Sequence, residues 1–202
     1  SERRNIAIGH GALQNMDTDG NNYNVAIGHN AGNDITSGTE NTLIGALAGD
    51  ELTEGGGNVA IGSSALSSAT TGGSNIAIGK ATMQSTTLAD YNIAIGDNAL
   101  KNLTQGSLTH THNVAVGKDA GNSITSGKQN TLMGSNDVGG SLTTGIGNTV
   151  YGAAALSTED EADYATAIGY QALTAQNTGT TNSYNTALGY RAGKTVSTGV
   201  NN

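Results

Sequence analysis

The sequence predicts an all-β solenoid. A five-residue phrase recurs along the whole chain, and the composition lacks what an ordinary globular core is made of. The phrase is typified by Asn24-Val25-Ala26-Ile27-Gly28, which returns 17 residues later as Asn41-Thr42-Leu43-Ile44-Gly45. It ends at Gly9, Gly28, Gly45, Gly62, Gly79, Gly96, Gly117, Gly134, Gly152, Gly169 and Gly189, eleven copies in all. It begins at Asn5, Asn24, Asn41, Asn58, Asn75, Asn92, Asn113, Asn130, Asn148 and Asn185, with Ala165 leading the remaining copy. A base period of 17 with insertions of one to four residues marks a stacked repeat fold, so residues 1–202 read as a single repeat domain. Of 202 residues 31 are Gly, none is Pro, Cys, Trp or Phe, and aromatics reach only 3%, too few to fill a conventional core of this size.

The phrase itself predicts a strand. Five residues rich in Ile and Val and closed by Gly are too short for a helix. Gly at the fifth place lets the chain turn with positive φ. Asn at the first place can bond the backbone, and stacked Asn side chains can form a ladder between coils. A second, weaker strand is expected in segments such as Asp34-Ile35-Thr36-Ser37 and Ser123-Ile124-Thr125-Ser126, each followed by Gly. The longest helix candidates, 45–52 and 151–164, are interrupted by Gly or turn residues. The insertions fall between one phrase and the next, as in 101–112 and 176–184, and are expected to line one edge of the stack. Eleven coils at strand spacing would span roughly 50 Å.

Alternation separates Val25 and Ile27 from Asn24 and Ala26. The expectation is that Val and Ile fill the coil interior. The opposite position, Ala in most copies but Leu43, Leu132 and Val150 in three, then packs against neighbouring chains. Ala7, Ala26, Ala60, Ala77, Ala94 and Ala115 are the residues assigned to that contact. A coil this thin buries too little apolar surface to offset the ordering of its residues, so a second buried face and a symmetric homo-oligomer are expected.

Asn24-Val25-Ala26-Ile27-Gly28, followed after two intervening residues by Ala31, resembles the head repeats of YadA-like trimeric autotransporter adhesins. Similar repeats occur in trimeric bacteriophage tail fibres, often with longer and more variable coils. The resemblance covers residues 5 to about 193. It implies three parallel chains, each a left-handed single-stranded β-roll, packed around a threefold axis. Coil length and loop insertions here differ from the adhesin head pattern, which places the fibre reading first and the adhesin head second.

Composition narrows the function. The net charge is −8, and no basic cluster beyond Arg3-Arg4 is present, which excludes nucleic acid as a partner. No apolar run approaches the ~18 residues of a membrane span. Zero Cys excludes disulfides and thiolate metal sites without fixing a compartment. The opening Ser-Glu-Arg-Arg, without Met or an apolar signal core, reads as a piece of a longer fibre. No nucleophile elbow or phosphate loop appears, so no catalytic or cofactor site is assigned. Glu159-Asp160-Glu161 and Asp163 read as a solvated turn. Tyr151, Tyr170 and Tyr190 serve either recognition or the filling of a wider coil.

His110-Thr111-His112 ends the longest insertion, and alternation puts both imidazoles on one side with Thr111 pointing away. They read as solvated loop residues. Alternatively, the likeness to phage fibres implies a transition-metal ion on the threefold axis, each chain giving two imidazoles. The expected role is extension and attachment in a trimeric fibre, outside the cell or on a virion surface, with a cell-surface glycan or protein as receptor. An adhesin head binding host matrix is the alternative. An ice-binding solenoid ranks lower, because Thr positions look irregular from coil to coil, and a glycan-degrading tailspike would need a carboxylate pair in a groove.

Overall fold

The computed structural model describes residues 4–16, 22–104, 109–179 and 182–202, and no helix occurs among them. Each phrase forms one short strand. In chain order the strands are β1 (Ile6–Ile8), β2 (Val25–Ile27), β3 (Thr42–Ile44), β4 (Val59–Ile61), β5 (Ile76–Ile78), β6 (Ala89–Asp90), β7 (Ile93–Ile95), β8 (Thr109–His110), β9 (Val114–Val116), β10 (Thr131–Met133), β11 (Thr149–Tyr151), β12 (Thr166–Ile168) and β13 (Thr186–Leu188). All but β6 and β8 join one parallel sheet of eleven strands in sequence order, wound as a β-solenoid of about ten turns. Register is position on position: Val25 pairs with Thr42, Ala26 with Leu43 and Ile27 with Ile44. The two-residue strands β6 and β8 pair beside it, Asp90 against His110.

The expected second strand does not form at Asp34–Ser37 or Ser123–Ser126. There the backbone N–H groups of Thr36, Ser37 and Gly38 all donate to the Thr53 carbonyl, at 3.0, 3.2 and 3.1 Å, so the segment bends instead of running as a ladder. Much of the remaining bending is done by left-handed residues. After Gly28, Asn30 (φ 53°) and Gly32 (φ 56°) take that conformation, as do Leu47 and Gly49 in the next coil and Ser64 and Leu66 in the one after. Such residues are uncommon outside Gly and Asn. Bonds between coils hold them here, Asn30 N–H donating to the His10 carbonyl at 2.8 Å and Leu47 N–H to that of His29 at 2.9 Å.

The leading Asn residues form a buried ladder. Asn58 donates its backbone N–H (3.0 Å) and its side-chain amide (3.1 Å) to Asn41 Oδ1, and the amide's second proton goes to the Gly72 carbonyl (2.9 Å). Its own Oδ1 accepts the matching pair from Asn75 at 3.0 and 3.2 Å. Every donor and acceptor of the amide is used, as a group with no exposure requires. The ladder bends to circumstance twice. In the longest coil Thr111 Oγ1 donates to Asn92 Oδ1 at 2.6 Å. Where Ala165 replaces Asn, the buried Gln176 presents Oε1 to the Asn185 amide at 2.9 Å. The closing glycines stack just as tightly: a Cβ on Gly62, whose φ is +134°, would lie 2.5 Å from the Gly79 carbonyl oxygen.

The interior is the reverse of the expectation. Ala26, Ala60, Ala77, Ala94 and Ala115 are fully buried within the single chain and have no surface to offer a partner. Ala7, on the end strand β1, is exposed. Val25, Ile27 and their counterparts point outward. The reason is volume: Ile35, Leu52, Leu66, Leu100, Leu103 and Ile124, set on the turns, already fill the narrow coil. The facing strand position must then be small. The exceptions obey the same rule. Leu43 lies against Gly32 and Gly49, where a Cβ would meet its Cδ atoms at 2.7 and 3.0 Å, and Leu132 lies likewise against Gly121 and Gly139 at 2.6 and 3.2 Å. In most other coils that turn position is Leu or Met (Leu13, Leu66, Met83, Leu100, Leu156 and Leu173), with Gly193 in the last. Leu on the strand therefore replaces Leu on the turn, an exchange inside one chain.

Candidate functional site

The outward face of the main sheet carries two columns of side chains. One runs Ile6, Val25, Thr42, Val59, Ile76, Ile93, Val114, Thr131, Thr149, Thr166, Thr186. The other runs Ile8, Ile27, Ile44, Ile61, Ile78, Ile95, Val116, Met133, Tyr151, Ile168, Leu188. Neither column contains a charge, and the second is apolar apart from the Tyr151 hydroxyl. Ile93 and Ile95 are 37% and 38% exposed and Tyr151 is 55% exposed. At ~4.8 Å per strand, two columns plus their margins form a band roughly 50 Å long and on the order of 700 Å². Typical monomers expose apolar patches no larger than about 300–600 Å².

Aromatic side chains rim this band. From the second phrase onward the preceding residue is left-handed, and at several coils it is an exposed ring: Tyr23 (φ 55°), Tyr91 (φ 60°), His112 (φ 52°), Tyr164 (φ 59°) and Tyr184 (φ 48°). Tyr164 stacks on Tyr184 with centroids 5.5 Å apart, and on the far rim Tyr170 stacks on Tyr190 at 5.6 Å. His10 and His29 stack on the same rim as the latter pair, at 5.6 Å. Stacking turns these ring faces toward one another along the rod. Tyr151, Tyr170 and Tyr190 are exposed and fill no coil.

His110 and His112 lie at the surface with their centroids 5.9 Å apart, while Thr111 between them is buried. The Thr111 bond to the Asn ladder holds this alternation. His112 stacks on Tyr91 at 5.3 Å, His110 meets the same ring edge-on at 4.8 Å, and His110 Nδ1 is 3.3 Å from Asp90 Oδ2. A carboxylate at Nδ1 leaves Nε2 for a ligand, so the donor set fits a transition metal as a pair of imidazoles. No group of three or more His, Cys, Asp or Glu suited to a metal occurs among the described residues, so one chain supplies at most part of a coordination sphere. Within the insertions, residues 105–108 and 180–181 lie outside the described residues.

The acidic loop is a set of fasteners. Glu159 is fully buried, and its carboxylate accepts the backbone N–H (3.0 Å) and hydroxyl (3.3 Å) of Thr178, which ties the 176–184 insertion to the coil before it. Asp163 Oδ1 accepts the Ile146 N–H at 2.6 Å. Sequence reasoning missed a regular Thr column at one corner: Thr36, Thr53 and Thr70 each donate their hydroxyl to the carbonyl one coil on, at 3.3, 3.0 and 3.4 Å, and Thr125 and Thr143 do the same. Those protons are committed to the solenoid. The signal was present outside the repeated phrase, since Thr36, Thr53, Thr70, Thr87 and Thr104 stand 17 residues apart.

No family model matches the chain, and no curated protein or solved structure matches it either.

Proposed function

We propose that this chain is an extension and attachment segment of a homotrimeric surface fibre, its three left-handed coils packed in parallel through the Val/Ile face. The observation that carries the reading is the uncharged, largely apolar band running the full length of a one-chain rod. Its area per chain is close to the ~800 Å² that one partner contributes to a standard specific interface, here divided between two neighbours. The occupant is a second and third copy, since a periodic face is complemented by the same periodic face about an axis parallel to the rod. The setting is a virion or cell exterior, and the receptor is a surface glycan or protein met by the rims and insertions. His110 and His112 are the residues that would hold a shared transition metal.

Two neighbouring substitutions test the packing. Ile78→Glu places a charge on the band and should give a folded chain that no longer assembles. Ala77→Glu places it inside the coil and should abolish the β-sheet circular dichroism itself. Equal loss of fold in both would refute the assignment of the outward face. Attachment is tested by binding of the assembled segment to intact cells and to a glycan array, and no binding to either would confine the role to extension.

A further inference from the structure

Resting on that reading, we infer that the rung-to-rung register of the chains is set by Tyr151, not by the Val/Ile columns that supply most of the contact. From β1 to β9 the second outward column is Ile or Val at every strand, and the first is Val or Ile except at Thr42. Sliding one copy along its neighbour by a single strand spacing, ~4.8 Å, lays like on like and loses contact only at the ends. A face of this kind binds strongly and chooses poorly. Repetitive interfaces need a non-repeating residue to fix their alignment, as a single polar position does in a coiled coil.

The periodicity breaks in both columns: the first turns to Thr from Thr131 onward, a near-isosteric change from Val that alters no layer's size, and the second to Met133 and then Tyr151, which does. The Tyr ring stands in a column otherwise β-branched over most of its length, register-paired between Met133 and Ile168. It is the longest side chain on the band and is more exposed than either neighbour. When chains are aligned, the rings share one layer. After a slip of one rung each ring enters a Met or Ile layer, crowding it and leaving a gap in its own. Overpacking and cavities are both penalised. The rim pairs Tyr164–Tyr184 and Tyr170–Tyr190 repeat on successive rungs, so they mark a single layer less sharply.

The chain contains no Cys, so introduced thiols report without interference. Ile78→Cys and Ile95→Cys occupy adjacent rungs of one column, and Ile76→Cys and Ile93→Cys those of the other. Each pair is mixed, refolded together and oxidised, and the disulfides are mapped by mass spectrometry. With Tyr151 present, links between like positions should dominate. Tyr151→Ile should raise the unlike links (78–95 or 76–93) by at least ~5-fold while the assembly stays trimeric, and Tyr151→Phe should not, because ring size sets the layer. An unchanged pattern in trimeric Tyr151→Ile would overturn the register role and leave the trimer standing. No interchain disulfide in either column, or a monomeric parent, would overturn the facing of the columns and the inference with it.

Discussion

Asn75→Ala removes one rung of the buried ladder, and the structure fixes what is lost. The Asn75 amide donates to Asn58 Oδ1 (3.2 Å) and to the Ala89 carbonyl (2.8 Å), and its Oδ1 accepts the Asn92 N–H (3.0 Å) and amide (3.1 Å). Ala supplies none of these. The Ala89 carbonyl and Asn92 N–H are then stranded where Asn75 and Asn92 are fully buried. A buried polar group left unpaired costs about 1–3 kcal/mol, so two to three such groups cost about 2–9 kcal/mol, with a central value of roughly 5. Urea unfolding followed by circular dichroism reads this as a lower midpoint. Amide exchange at Asn92 should accelerate by about 10²–10⁴. The chain holds its own control at Ala165, where Gln176 Oε1 supplies the missing acceptor. Gln176→Ala should therefore destabilise although it lies outside the phrase. A loss below ~1 kcal/mol for Asn75→Ala, with unchanged exchange at Asn92, would refute the ladder as the element that ties coil to coil.

The exchange of Leu between strand and turn predicts a rescue: Leu43→Ala should cost about 2–5 kcal/mol, and adding Gly49→Leu, which restores the arrangement seen at Leu66, should recover part of the melting temperature. Asp50 has its carboxyl raised above the ordinary 3.8, first by burial and then by Glu51 and Asp34. A raised carboxyl binds its proton more tightly in the folded state, so the destabilisation is present at neutral pH and disappears as pH falls below the unfolded value. Asp50→Asn should thus raise the melting temperature at pH 7 and have no effect below pH ~3.5; a gain at both pH values would contradict this origin. For the imidazole pair, elemental analysis should find one transition metal per three chains, lost in His112→Ala. A metal-free assembly that melts as before in His110→Ala and His112→Ala leaves two solvated histidines.

Much of the rod was legible because a repeated phrase reports its own geometry. Eleven Ile/Val-rich pentads ending in Gly specify strands closed by a positive-φ turn, and Gly62 and its counterparts occupy that role. The Asn ladder was legible for the same reason, since an amide at a fixed place in every coil can be satisfied by its neighbours. Inside and outside were not. Alternation gives two faces, but the choice between Ala26 and Ile27 depends on how much volume the turns deliver, and Ile35, Leu52 and Leu66 deliver it from outside the phrase. The second strand failed for a related reason: Ile35 and Thr36 are β-forming residues, yet the donors of Thr36, Ser37 and Gly38 converge on the Thr53 carbonyl. At His110–His112 alternation was readable in advance, but the anchoring of Thr111 to Asn92 and the packing on Tyr91 needed the fold.

Sedimentation equilibrium of the intact chain tests the central claim most directly. The account predicts one species of three times the 20.1 kDa chain mass for the unsubstituted chain, and a folded single chain only where the band carries a charge, as in Ile78→Glu. A species of one chain mass with the same spectrum and an undiminished melting temperature would contradict it, because the Val/Ile band would then be a stable free surface.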